Sequence, residues 1–300
     1  MIKFTNLATL LLALFSFQII VAQNTAVLKG KTSKNYKVSV RQLDGMPDNE
    51  PSVNYKIPNK NWEVPNWTFD ESKIIYKETP GTYKAPKSKR EVSPAPDTTF
   101  HALEDNGNSI PPDVNGCVGP NHLMITLNTG VRIQDRVGNN LYSTSLGNWW
   151  NALPGNGGTF DPKIIYDPYN DRWIMVTPSG SNSVDSKLYL GVSQTSDPLG
   201  DWNMYWINPD ESNQTWFYYP SIGFNKKWLT ISGNMFGNDF YRTVFVFDKM
   251  AAYNGDDNVD FTRFATSQGF TLVPSITYDN EVEDQYLIST SGGNISGYRY

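Results

Sequence analysis

A pattern built around proline recurs four times in the last two thirds of this 300-residue chain. Each copy opens with Pro or Asp-Pro and a short apolar run. A turn of Asp, Asn or Gly follows, then a second run rich in aromatic and aliphatic residues. The copies are Pro112-Asp113-Val114 leading to His122–Ile125, Asp161–Asp167 leading to Arg172–Val176, Tyr219–Asn225 leading to Lys227–Ile231, and Val273–Asp279 leading to Gln285–Ser289. The prolines stand at 112, 162, 220 and 274, in steps of 50, 58 and 54 residues. Self-similarity at this period marks an array of small supersecondary units.

Each copy has room for two further strands. In the second these are Lys187–Val192 and Trp202–Ile207; in the third, Thr243–Phe247 and Phe261–Ala265. About four short strands per 50 residues, joined by Gly, Asn, Asp and Pro turns, predict an all-β fold, a β-propeller of four-stranded blades. A small twisted sheet cannot bury both faces alone, so stacked sheets share their side chains. The 9 Trp, 17 Tyr and 15 Phe suit the wedge-shaped gaps between blades. Proline fits the start of an inner strand, where its missing N–H costs no ladder bond. Helix is expected only at Asp248–Tyr253. The repeats divide at about 98–150, 151–210, 211–268 and 269–300.

Residues 1–23 read as a signal peptide. Lys3 gives a basic start, Leu7–Val21 is an apolar run, and Ala22 precedes the polar Gln23-Asn24-Thr25. The run is short of the roughly 20 residues a spanning helix needs, so cleavage near Ala22 or Gln23 and export to the surface, medium or periplasm are expected. Residues 24–97 form a basic arm rich in Pro, Asn and Lys, against a strongly acidic repeat region. Within the arm, Tyr36–Gln42 and Lys73–Glu78 have strand character. Partial docking of the arm on the acidic repeats is the expectation. The fourth copy has three strands when the chain stops at Tyr300. Either the chain is a truncated form of a larger propeller, which is the preferred reading, or Lys73–Glu78 pairs with 295–300 and completes the last blade.

Three stretches carry a family resemblance: PPDVNGCVGPNH (111–122), FDPKIIYDPYNDRW (160–173) and VSQTSDPLGDW (192–202). Over about residues 100–300 the chain resembles the exported β-propeller proteins of Bacteroidetes-type bacteria. Many of those are longer and end in a secretion-system sorting domain, which this sequence lacks. The resemblance implies export and a propeller, and no general activity.

Candidate sites follow from chemistry. One Cys excludes an intrachain disulfide and a Cys-based zinc site, and Cys117 reads as a small buried residue. His101 and His122 are too few for a multi-histidine centre. The acidic balance argues against nucleic acid. Ligands of a propeller sit at its axial mouth, where Asp113, Asp161, Ser221 and Ser275 are expected, each beside its repeat's proline. Asp113 and Asp161 would serve glycoside hydrolysis as a pair; the alternative is that they fix turns. The later copies offer serine where an acidic partner is needed, and the Ser-x-Asp-x-Gly-x-Thr-Trp box of sialidases is missing. Aromatic faces stack on sugars, with Trp149, Trp150, Trp206 and Trp216–Tyr219 available. Trp149-Trp150 draws attention because neighbours on a strand face opposite ways. Calcium is the expected ion, at Asp256, Asn258 and Asp260, although Phe261 and Gln268 break the EF-hand pattern and a plain acidic loop competes. Asp105–Asp113 and Asp167–Asp171 are similar acidic loops, and Asp97-Thr98-Thr99 resembles an O-glycosylation acceptor. The sequence thus points to an exported surface module binding glycan or an extracellular protein, with glycoside hydrolysis as the alternative.

Overall fold

The computed structural model describes residues 25–43, 95–96, 98–104, 107–155, 158–267, 269–291 and 294–299. The fold is all-β. Its strands are β1 (Thr25–Lys31), β2 (Tyr36–Ser39), β3 (Asn115–Val118), β4 (His122–Leu127), β5 (Gly130–Asp135), β6 (Asn140–Thr144), β7 (Lys163–Asp167), β8 (Arg172–Ser179), β9 (Lys187–Ser193), β10 (Asp201–Ile207), β11 (Thr215–Phe224), β12 (Trp228–Gly237), β13 (Tyr241–Asp248), β14 (Asp260–Thr266), β15 (Val273–Pro274), β16 (Tyr286–Ser291) and β17 (Asn294–Arg299). Among the described residues, two short helices, α1 (Leu146–Trp149) and α2 (Lys249–Asn254), lie in connections. Asp248 caps α2, and Gly255 ends it with φ 78°, the left-handed conformation that glycine adopts without a Cβ penalty.

Among the described residues these strands make four antiparallel sheets, one per repeat. Sheet I is β3-β4-β5-β6, sheet II β7-β8-β9-β10, sheet III β11-β12-β13-β14 and sheet IV β15-β16-β17. The first strands stand side by side: β3 touches β7, β7 touches β11, and β11 touches β15. The Asp and Asn of the repeat make its turns. Asp167 Oδ1 accepts the N–H of Tyr169, Asn225 Oδ1 those of Lys227 and Trp228, and Asp279 Oδ1 that of Glu281. Each is a side chain closing its own turn.

Alternation along sheet II divides its side chains between two gaps. Trp173, Met175, Tyr189, Trp202 and Met204 pack toward sheet I, with Met124, Val131 and Ile133. Ile174, Val176, Leu188, Leu190, Tyr205 and Ile207 pack toward sheet III, with Phe217, Phe224, Ile231, Phe245 and Phe247. The aromatic excess is therefore inter-sheet filling. Gly191 faces the first gap: a Cβ there would lie 3.1 Å from the Trp150 ring and 3.3 Å from that of Trp202. A smaller cluster of Val244, Leu272 and Leu287 joins sheets III and IV.

The arm docks more intimately than its charge suggests. β1 runs antiparallel to β14 from Thr25↔Thr266 to Lys31↔Asp260, as a fifth strand of sheet III. β2 pairs with β10 as a fifth strand of sheet II. Residues 32–35 cross between them. The Thr32 N–H donates to Val259 O, the Ser33 N–H to Trp206 O, and the Asn35 amide to Asn203 Oδ1 and Gly255 O. The ion pairs Lys31–Asp260 and Arg41–Asp197 are both 2.8 Å but exposed, a class worth about 0–1 kcal/mol each. Backbone pairing does most of the docking. Of the run 36–42, residues 40–42 form a 3-10 turn instead of strand. Residues 1–23 and Lys73–Glu78 lie outside the described residues. Among the described residues no helix is long and apolar enough to cross a membrane.

One buried ion pair also joins sheets II and III. Lys249 Nζ lies 3.0 Å from Asp167 Oδ2, with side chains 1% and 0% exposed. Tyr253 donates its hydroxyl to the same oxygen at 2.9 Å, and Lys249 also donates to Asn225 O at 2.8 Å. The acidic loop 167–171 is in this respect structural. Lys249→Ala strands the Asp167 charge and should cost about 3–5 kcal/mol in chemical denaturation. A loss below about 1 kcal/mol, the surface-pair range, would show that the pair does not hold the sheets together.

Candidate functional site

Just before the first strand of the first, second and fourth repeats, and inside β11 in the third, the backbone turns left-handed at a non-glycine residue. These are Asp113 (φ 49°), Asp161 (φ 46°), Tyr219 (φ 56°) and Thr271 (φ 53°). Asp tolerates this region through local hydrogen bonding, whereas for a bulky Tyr it is a true outlier. Strain of this kind clusters at functional sites. The structural counterparts of Asp113 and Asp161 in the third and fourth repeats are thus Tyr219 and Thr271, in place of Ser221 and Ser275. The shift arises because Pro220 falls inside β11, at a bulge where the register jumps between Tyr218 and Ser221. Ser221 pairs with Ser232 across the ladder. The Ser275 hydroxyl lies 3.2 Å from Thr277 Oγ1 and accepts from Gln285 Nε2 at 3.2 Å. Both serines serve the sheets.

Asp113 and Asp161 do come together, and Asn128 joins them. Asn128 Nδ2 donates to Asp113 Oδ2 at 2.5 Å and to Pro111 O at 3.0 Å. Its Oδ1 accepts the Asp161 N–H at 2.6 Å. Asn234 repeats the device in sheet III: its Oδ1 accepts the Thr271 N–H at 3.3 Å, and its Nδ2 donates to Thr271 Oγ1 at 3.1 Å. The sequence reading missed both asparagines. The available signal was an Asn near the end of each repeat's second strand, followed within three residues by Gly130 or Gly237.

The Asp161 side chain is buried, 3% exposed, and its Oδ2 has no donor facing it. Burial pushes its pKa up to about 7, helped by a hydrogen bond to the Asp113 carboxyl and by that group's charge; Lys163 and the Tyr219 N–H act in the opposite direction. A neighbouring negative charge disfavours the ionised form of Asp161. Asn128 ties the two residues to one turn, holding the Asp113 carboxylate and the Asp161 backbone.

Beside the dyad stands a wall of aromatic rings. Phe160 lies 5.6 Å from Tyr218 in a stacked pair and 5.3 Å from Trp216. Tyr218 meets Tyr219 at 6.5 Å and Phe236 at 6.0 Å. Phe236–Phe240 and Phe240–Phe270 continue the line at 4.9 and 5.9 Å. Alternation along β11 explains the split: Phe217 enters the core, while Trp216 and Tyr218 are half-buried on the other face. Tyr219 is 43% and Phe270 52% exposed. Lys163 Nζ sits 5.5 Å from the Tyr219 ring centre. The Asp161 charge, then burial and the Asp113 charge, hold the Tyr218 phenol above its ordinary pKa, which ties the wall to the dyad.

Other sequence candidates fall elsewhere. Trp149 and Trp150 are both fully buried. They occupy a helical turn rather than a strand, so both tuck into the gap between sheets I and II, Trp149 against Trp202 at 5.1 Å and Trp150 against Tyr189 at 5.5 Å. Neither offers a face to a ligand. The Asp256–Asp260 loop is occupied by the arm: the Asn35 N–H donates to Asp257 Oδ1, the Asn258 N–H to Ser33 O, and Asp260 pairs with Lys31. Among the described residues no group of three or more His, Cys, Asp or Glu could hold a metal ion. Asp256, Asn258 and Asp260 thus lie in a loop on which the arm docks. Burial pushes the Cys117 thiol well up, keeping it protonated and unreactive.

No family model and no curated protein matches this chain. Solved structures with some likeness include a subtype N10 neuraminidase-like protein of A/little yellow-shouldered bat/Guatemala/060/2010, at 13% identity over 62% of this chain and 67% of that one, TM-score 0.36. A subtype N11 neuraminidase-like protein of A/flat-faced bat/Peru/033/2010 aligns at 11% identity over 62% of this chain, TM-score 0.34; the chain spans 57% of that protein's length. A GH43 endo-arabinanase from Bacillus licheniformis aligns at 18% identity over 63% of this chain and 71% of its own, TM-score 0.35.

The dyad has a pH signature. An Asp whose pKa rises from about 3.9 unfolded to about 7 folded contributes stability that is full below about pH 3.9 and is lost as pH rises through about 7. The wild-type Tm should therefore fall between about pH 5 and about pH 8, and Asp161→Asn should flatten that fall. Parallel pH profiles for the two proteins would contradict a raised Asp161 pKa.

Proposed function

We propose that this chain is an exported β-propeller, a surface or extracellular module whose mouth binds glycan. The observation that carries this reading is the partly exposed wall of Trp216, Tyr218, Tyr219 and Phe236 beside a polar pair, Asp113 and Asp161. Sugar recognition needs both parts. Apolar sugar faces stack on aromatic rings, and carboxyl and amide groups fix hydroxyl orientation. The propeller reading rests on consecutive meander sheets whose first strands stand side by side. Export rests on the apolar run 7–21.

A screen of immobilised glycans with the full chain tests this. At least one glycan class should bind, and Tyr219→Ala should weaken it about tenfold, the scale of one lost ring contact. Trp150→Ala should leave the affinity of the folded protein unchanged. Absence of binding to every glycan, or equal affinity in Tyr219→Ala, would remove the reading.

Glycoside hydrolysis is the second reading, favoured by one observation: Asp161 holds a proton near neutrality, as a general acid must. Asp161→Asn should then abolish cleavage while leaving binding in place. Undiminished cleavage by that variant would sink it.

A further inference from the structure

Away from the mouth, a crevice of about 250 Å³ opens between the arm and the rim of sheet III. One wall is Lys29 of β1 with Phe261 and Arg263 of β14; the other is the loop carrying Asn208, Glu211 and Ser212. Arg263 is 8% exposed, yet among the described residues no carboxylate touches it. Its Nε donates to Thr243 Oγ1 at 3.0 Å and one Nη2 N–H to Tyr241 Oη at 2.6 Å. Its guanidinium stacks over the Tyr241 and Phe245 rings, 5.6 and 5.9 Å from their centres.

The nearby Asp210 does not fill the gap. Its two oxygens already accept from Ser212 N and Oγ, Gln214 N, and Thr215 N and Oγ1. Burial opposes its ionisation, and these hydrogen bonds outweigh burial, holding its pKa at about 2. Charge reaches it from Arg263 only by relay. Arg263 donates to Tyr241, the Tyr241 hydroxyl lies 3.1 Å from Thr215 Oγ1, and Thr215 donates to Asp210 at 2.7 Å. With Thr215 Oγ1 donating to the carboxylate, Tyr241 is left to donate to Thr215 and to accept from arginine. The relay fixes the guanidinium and, among the described residues, leaves both N–H groups of Nη1, with one of Nη2, without a protein acceptor. A nearly buried guanidinium with a free edge is a fork for one carboxylate, held by paired charge-assisted bonds.

We propose that this crevice is a second binding site, for a hydroxylated carboxylate of monosaccharide size, a sugar acid. The carboxylate seats on Arg263 beside the Lys29 charge. The hydroxyls face Asn208, Glu211 and Ser212, and Phe261 lines the apolar side. Glu211 disfavours a ligand carrying a second negative charge. The arm builds half of this site, so docking of β1 creates it. The proposal is independent of the reading of the mouth.

Titration calorimetry of the full chain with glucuronate and with glucose tests it. Glucuronate should bind and glucose should not. Arg263→Gln should weaken glucuronate at least about tenfold, the loss of a charged hydrogen bond. Lys29→Glu, a change to an exposed side chain that leaves the core intact, should weaken it about threefold. Tyr219→Ala should leave it unchanged. Failure of glucuronate to bind, equal binding of glucose, indifference to both Lys29→Glu and Arg263→Gln, or loss in Tyr219→Ala would each overturn the proposal.

Discussion

The face-to-face packing of sheet II against both its neighbours is the constraint on which the rest of the molecule depends. Residues of one parity go to sheet I and those of the other to sheet III. This fixes the register of every strand in the sheet, because a one-residue slip would exchange the two faces. With the sheets held side by side, the starts of their first strands converge. Asp113, Asp161 and Tyr219, far apart in sequence, meet there. The arm and the Asp167–Lys249 pair act on the same II–III boundary from the outer edge and from within.

The dyad is a consequence of that convergence. Asn128 lies in the turn between β4 and β5, yet it holds the backbone of Asp161 in the next sheet and the side chain of Asp113 in its own. Burial of Asp161 is the main cause of the rise in its pKa, and the neighbouring Asp113 adds to it. A left-handed Tyr219 then exposes its ring next to the pair. Two aspartates, Lys163 and several aromatic rings thus gather around these turns.

Much of the fold was legible because its signals are local. Proline spacing gave the four repeats, turn Asp and Asn gave the hairpins, and β-branched and aromatic runs gave strands such as 187–193 and 260–266 nearly to the residue. Asp113 and Asp161, singled out by their position beside proline, both take the left-handed conformation. What was not legible depends on contacts distant in sequence. The β11 bulge moved the third-repeat counterpart from Ser221 to Tyr219. Trp149 and Trp150 read as a strand pair because nothing local announces a helical turn beneath a neighbouring sheet. Residues 25–31 show no strand alternation, since an added edge strand leaves most of its side chains in solvent. Asp167 looked like a solvated turn because its partner Lys249 is 82 residues away.

The account's central claim is that the mouth, with its dyad and ring wall, is the principal ligand site. A crystal structure of the full chain with the tightest-binding oligosaccharide from the glycan screen tests it most directly. The account predicts a sugar ring stacked on the wall at Tyr219, with a hydroxyl in hydrogen-bond contact with Asp113 or Asp161. An oligosaccharide bound elsewhere on the chain, with the mouth left empty, would contradict it.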